Sequence, residues 1–144
     1  MGNSGEAAAR APWVDGVYLT GPGLGGGLFL GERTRGFDLA AAGTYEGTLD
    51  VTIPEVGVGD YRLVVRADHR GQVFEGGRDG NNSADSGALG LLHPNLTVAT
   101  VTLDRSTATS VEQVRETWTA TNSGAGPANA ARTDRVWLSR DDTL

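Results

Sequence analysis

Apolar and polar residues alternate over several short stretches of this chain, the period of a half-buried β-strand. Across 13–20, Val17 and Leu19 point one way while Tyr18 and Thr20 point the other. Across 45–53, Leu49, Val51 and Ile53 form one face and Thr48, Asp50 and Thr52 the other, until Pro54 stops the run. The clearest strand is 61–68, with Tyr61, Leu63, Val65 and Ala67 opposite Arg62, Val64, Arg66 and Asp68. Asp68-His69-Arg70-Gly71 then reads as a tight turn, and 72–75 as the returning partner of a hairpin. In 95–103, Leu96 and Val98 have one parity and Val101 and Leu103 the other, which predicts a bulge between them. Val114, Glu116, Trp118 and Ala120 alternate with Arg115, Thr117, Thr119 and Thr121, with Glu116 out of place on the tryptophan side. Residues 37–43 suggest a short strand and turn, and 1–12 a loop closed by Pro12. Short strands at roughly 8–12-residue spacing with turn chemistry between them predict an antiparallel β-sandwich.

One stretch occurs twice. Asn3-Ser4-Gly5 is followed by seven residues and then by Trp13-Val14-Asp15-Gly16-Val17-Tyr18-Leu19-Thr20. Asn122-Ser123-Gly124 is followed by the same length of chain and then by Arg132-Thr133-Asp134-Arg135-Val136-Trp137-Leu138-Ser139. Asn3 and Asn122, Asp15 and Asp134, and Leu19 and Leu138 are each 119 positions apart, so the two copies align without a gap. The chain therefore reads as a window on a tandem array, starting inside one copy and ending inside the next. Residues 1–82 hold the later part of one repeat, 83–95 a linker, and 96–144 the early part of the next. Met1 reads as a start placed inside a larger frame.

The residues resemble the bacterial CARDB domain, a cell-adhesion-related repeat. The resemblance rests on Asp15-x-Val17-Tyr18-Leu19-Thr20, then Gly59-x-Tyr61-x-Leu63-x-Val65-x-Ala67-Asp68, then Val73-Phe74-Glu75 and Asn81-Asn82. It continues with Asn95-Leu96-Thr97-Val98, Thr117-Trp118-Thr119-Ala120-Thr121-Asn122-Ser123-Gly124 and Leu138-Ser139-Arg140-Asp141-Asp142. The resemblance implies an immunoglobulin-like sandwich of about seven strands, a place in secreted or cell-surface bacterial proteins, and no catalysis. Partners on this reading are neighbouring repeats of the same polypeptide and a surface protein or glycan. A second reading is an accessory module of a large secreted hydrolase, binding its substrate or a carbohydrate.

The offset window raises a folding question. Residues 1–82 lack the first two strands of such a sandwich, and 96–121 carry the same two from the next copy. The chain is expected to close in circularly permuted order, or between two chains as a swapped dimer. Residues 3–20 and 122–139 then compete for one position, so one of them stays out of the sheet.

Charge and composition narrow the chemistry. A net charge of −6 argues against nucleic acid, which needs a basic footprint. No apolar run is long enough for a spanning helix, so no membrane insertion is expected. With no cysteine, disulfide scaffolds, cysteine nucleophiles and thiolate zinc sites are excluded. Gly21, Gly23 and Gly26 spell a G-x-G-x-x-G pattern, but no helix can follow to meet a pyrophosphate. No catalytic residue and no cofactor site is expected: His69 falls in a turn and His93 in the linker before Pro94. The weak calcium candidates are Asp68, Glu75, Asp79 and Asn81, oxygen ligands around one hairpin and its exit, with Asp141-Asp142 behind them. Trp13, Tyr18, Trp118 and Trp137 are the aromatics that could make a sugar platform.

Overall fold

The computed structural model describes residues 2–140; Met1 and the pair Asp141-Asp142 lie outside the described residues. The protein is all-β, built from antiparallel sheets, as the alternation requires. It divides into two compact units, Met1–Leu91 and Leu92–Leu144.

The first unit holds β1 (Trp13–Thr20), β2 (Leu28–Arg35), β3 (Gly59–Arg66), β4 (Ser83–Asp85) and β5 (Leu89–Leu91). The order across the sheet is β2-β1-β3-β4, with β5 also pairing β3, and every pairing is antiparallel. Leu19 lies opposite Leu63 and Val17 opposite Val65, so Trp13, Asp15, Val17, Leu19, Tyr61, Leu63 and Val65 share one face. Trp13, Leu19 and Tyr61 are buried there. Full burial of side chains of this size contributes roughly 2–3 kcal/mol each. The glycine-rich run 21–27 is two successive turns, Leu24 N–H to Gly21 O and Gly27 N–H to Leu24 O, both 3.2 Å, and a strand rather than a helix follows. Gly21 is required because a side chain there would run into the Tyr61 ring.

Several expectations fail for identifiable reasons. Residues 28–35 form β2, although glycines bound their apolar start; β1 supplies the hydrogen-bonding edge. Residues 45–53 are extended in pattern but belong to no strand, since no strand lies beside them. Residues 37–43 reduce to one bridge, Ala9 to Leu39, and a turn. Residues 72–75 do not return along β3. Asp68 adopts φ 44°, and its two carboxylate oxygens accept the Gln72 and Val73 N–H groups, both at 2.7 Å. That turn leads the chain away, and β4 takes the place beside β3, with Ala67 N–H bonded to Asn82 O at 2.8 Å. The first nine residues of the expected linker 83–95 thus include two sheet strands, leaving 92–95 between β5 and the next strand.

The second unit is a hairpin of β6 (Leu96–Leu103) and β7 (Glu116–Asn122). The bulge falls between Val98 and Thr100, where the parity change places it. It brings Leu96, Val98, Val101 and Leu103 to the face of Trp118 and Ala120, while Thr97, Thr100, Thr102, Thr117, Thr119 and Thr121 occupy the other. The apolar face stays largely open: Val98 is 63% and Val101 56% exposed. Residues 132–139, the copy of β1, form no strand, and Val136, Trp137 and Leu138 are exposed. Their counterparts in β1 hold the central place in the five-stranded sheet.

Gly21→Ala forces the Tyr61 ring to move out of the core. The expected loss of stability is about 2–4 kcal/mol, read as a lower urea midpoint at unchanged slope. A midpoint equal to that of the unaltered chain contradicts the packing described.

Candidate functional site

The inner sheet face of the first unit opens into a broad cleft of about 1340 Å³. Its floor is Val17, Leu63 and Val65, and its walls come from 2–9, 45–51 and 73–86. Segment 45–53 is held over β2 by its side chains. Leu49 and Val51 sit above Gly31, Arg33 Nη1 donates to Thr48 O at 2.6 Å, and the Arg35 guanidinium lies 4.6 Å from the Tyr45 ring centroid. Arg35 Nε is buried without a partner.

Asp15 organises the closed end of the cleft. Its Oδ1 accepts the Trp13 indole N–H and the Asp68 backbone N–H, each at 3.1 Å, and its Oδ2 accepts the Tyr45 hydroxyl at 2.5 Å. Trp13 and Tyr45 meet edge to face with centroids 6.1 Å apart. Burial, then the hydrogen bond to Asp15, pushes the Tyr45 phenol up to about 12. This network joins β1, the turn after β3 and segment 45–53, all through charge-assisted bonds.

A second cluster lies on the opposite sheet face. The Tyr18 hydroxyl is 2.9 Å from His69 Nδ1, and His69 Nε2 is 3.0 Å from Glu32 Oε2. Phe29 stacks on His69 with centroids 5.8 Å apart, and Gly16 leaves room for the imidazole. Arg70 pairs with Glu32 at 2.5 Å, and that bond, with the one from His69, holds the Glu32 carboxyl below its ordinary range. The cluster ties the turn to β1 and β2. Its histidine has a tyrosine on one nitrogen and a carboxylate on the other, so it presents no serine or cysteine nucleophile.

Asp68, Glu75 and Asn81 of the calcium candidates line the cleft. The Asp68 carboxylate caps its own turn, and Glu75 Oε2 accepts from Asn82 Nδ2 at 2.8 Å. Asp79 and Asn81 belong to a short 3₁₀ turn with Asn81 exposed. Among the described residues, no group of three or more His, Cys, Asp or Glu is placed to hold a metal ion. Of the aromatics, Trp13 is buried on the inner face and Tyr18 packs on the outer face of the first unit, while Trp118 and Trp137 line one cleft of the second. His93 adds only its carbonyl, bonded by Gly126 N–H at 2.9 Å.

Sequence reasoning missed Arg33, Arg35, Tyr45 and Glu32. Arg33 and Arg35 share the parity of Gly31, a period of two that marks β2, but the surrounding glycines hid it. Among the described residues, no helix is long and apolar enough to cross a membrane.

The raised Tyr45 phenol sets a sign for alkaline behaviour. The folded state keeps its proton more tightly than the unfolded chain, so this contribution is complete below the ordinary value of about 10 and is lost as pH rises toward 12. Stability should fall across that window. In Tyr45→Phe the fall should be shallower, with a loss at neutral pH of about 1–2 kcal/mol for the missing hydrogen bond. Parallel stability–pH curves for the two proteins contradict this. No family model, curated protein or solved structure matches the chain.

Proposed function

We propose that this chain is a non-catalytic structural and adhesion module of a secreted or cell-surface bacterial protein, one of a tandem array. The observation that carries the reading is a local structure built twice. Asn3 Oδ1 accepts Gly5 N–H at 2.9 Å, and Asn3 Nδ2 donates to Ala7 O at 2.7 Å. At the positions 119 residues later, Asn122 Oδ1 accepts Gly124 N–H at 3.0 Å, and Asn122 Nδ2 donates to Gly126 O at 2.8 Å. Equal geometry at equal spacing supports repetition of a structural unit, not only of letters.

The sheet order also supports the CARDB-like, immunoglobulin-type reading. β2-β1-β3-β4 with β5 has the antiparallel order of a G-F-C-C′ layer read from its other edge. Modules of this kind act by length and stiffness. Each repeat adds a fixed increment, and the charge-assisted ties around Asp15 resist shear between segments.

The test is retention of the labelled protein on cell surfaces and on insoluble polysaccharides. The proposal expects retention on cells that survives excess polysaccharide. Saturable polysaccharide binding lost in Trp137→Ala would replace it with the accessory reading.

A further inference from the structure

We propose that Asn81 is the attachment site of an N-linked glycan, in the acceptor run Asp79-x-Asn81-x-Ser83. From the secreted or cell-surface reading it takes only the compartment in which such a transfer occurs; the chemistry rests on the site itself.

An asparagine can carry a glycan where a serine or threonine stands two residues later and the residue between is not proline. Asn81 meets that rule with Ser83, and Asn95 meets it with Thr97. The step is a glycosyl transfer. The donor is an oligosaccharide on a polyprenyl pyrophosphate, and the catalyst is a membrane oligosaccharyltransferase. The asparagine Nδ2 attacks the anomeric carbon, where a C–N bond forms and the C–O bond to the pyrophosphate breaks. The amide gives up one proton to a base on the enzyme, and the lipid pyrophosphate leaves. An amide nitrogen is a poor nucleophile, because resonance shares its lone pair with the carbonyl. The enzyme has to turn the carboxamide, so it needs one that the fold has not already bound.

The asparagines divide on that ground. Asn3 Nδ2 donates to Ala7 O, Leu39 O and Ala40 O, Asn82 Nδ2 to Glu75 Oε2, and Asn122 Nδ2 to Gly126 O. The Asn81 side chain is exposed and makes no hydrogen bond among the described residues. It sits in the turn Asp79–Asn81, which buries no residue and is closed by long bonds, Asn81 N–H to Arg78 O at 3.5 Å and Asn82 N–H to Asp79 O at 3.4 Å. Such a turn opens at little cost, as a segment entering an enzyme must. The Ser83 hydroxyl is exposed and also makes no hydrogen bond among the described residues. Two residues ahead, Asp79 is exposed and has no ion pair among the described residues. Its carboxylate is a handle for a cation on the enzyme, and acceptors led by an acid at this place are the form that bacterial transferases select.

Asn95 is held where Asn81 is free. Its N–H donates to Asn122 Oδ1 at 2.9 Å and its carbonyl accepts from Ser123 N–H at 2.8 Å, which ties it to the exit of β7. The Thr97 hydroxyl donates to Thr121 O at 3.4 Å within the hairpin, and His93 stands where Asn81 has Asp79. The motif alone names both asparagines; the hydrogen bonds choose Asn81. Asn81 lines the cleft of the first unit, so a glycan rooted there adds a hydrophilic cover at its rim.

The test uses the full chain, a purified bacterial oligosaccharyltransferase with its divalent cation, and a polyprenyl-pyrophosphate-linked oligosaccharide, read by intact mass. The folded chain should gain the mass of a single glycan. The gain should vanish in Asn81→Gln and in Ser83→Ala, return in Ser83→Thr, and remain in Asn95→Gln. Asp79→Asn should slow transfer about tenfold, the loss of one charge-assisted contact. The replaced side chains at 81 and 83 bond nothing in the described fold, so circular dichroism of these variants should match that of the unaltered chain. No added mass on the unaltered chain, or an added mass that Asn81→Gln retains, overturns the proposal. Neither result bears on the adhesive role, which retention on cells decides.

Discussion

An extended backbone needs a neighbour for its N–H and C=O groups, and that requirement divides this molecule. β1 has β2 on one side and β3 on the other, and it holds the buried Leu19 and Trp13. Segment 45–53 has a strand's alternation and no strand beside it, so its side chains fasten it instead. The copy of β1 at 132–139 has the same letters at its key positions and forms no strand. Sequence pattern makes a strand available, and a partner edge makes it real.

Asp15 is the electrostatic counterpart of that geometry. One carboxylate binds an indole, a phenol and a backbone N–H from three parts of the chain. Asp68 repeats the device one turn away, capping Gln72 and Val73. These acids serve as internal ties.

The readable parts of the sequence were those decided locally. β1, β3 and the bulge in β6 follow from parity within eight residues, and the duplicated Asn-x-Gly exit from simple spacing. The turn at Asp68–Gly71 also followed from its residues, with Gly71 N–H bonded to Asp68 O at 2.9 Å. What failed was decided at long range. Ser83–Asp85 and Leu89–Leu91 pair with β3 although nothing in those short stretches alternates strongly, because the Asp68 cap removes the competing segment. Tyr45 and Arg35 gain their roles only when Trp13 and Asp15 meet them across the sheet face.

The central claim is our proposal that the chain is an offset window on a repeat of one sandwich. Because Asn122 is the equivalent of Asn3, residues 92–122 can be placed ahead of residues 4–91, giving one complete repeat of 119 residues. Thermal unfolding of that rearranged chain is the most direct measurement. The account predicts a monomer with a single cooperative transition, at least ~10 °C above that of the chain in its present order, as the apolar face of the hairpin becomes buried. A rearranged chain that melts no higher, or in two separate transitions, contradicts it.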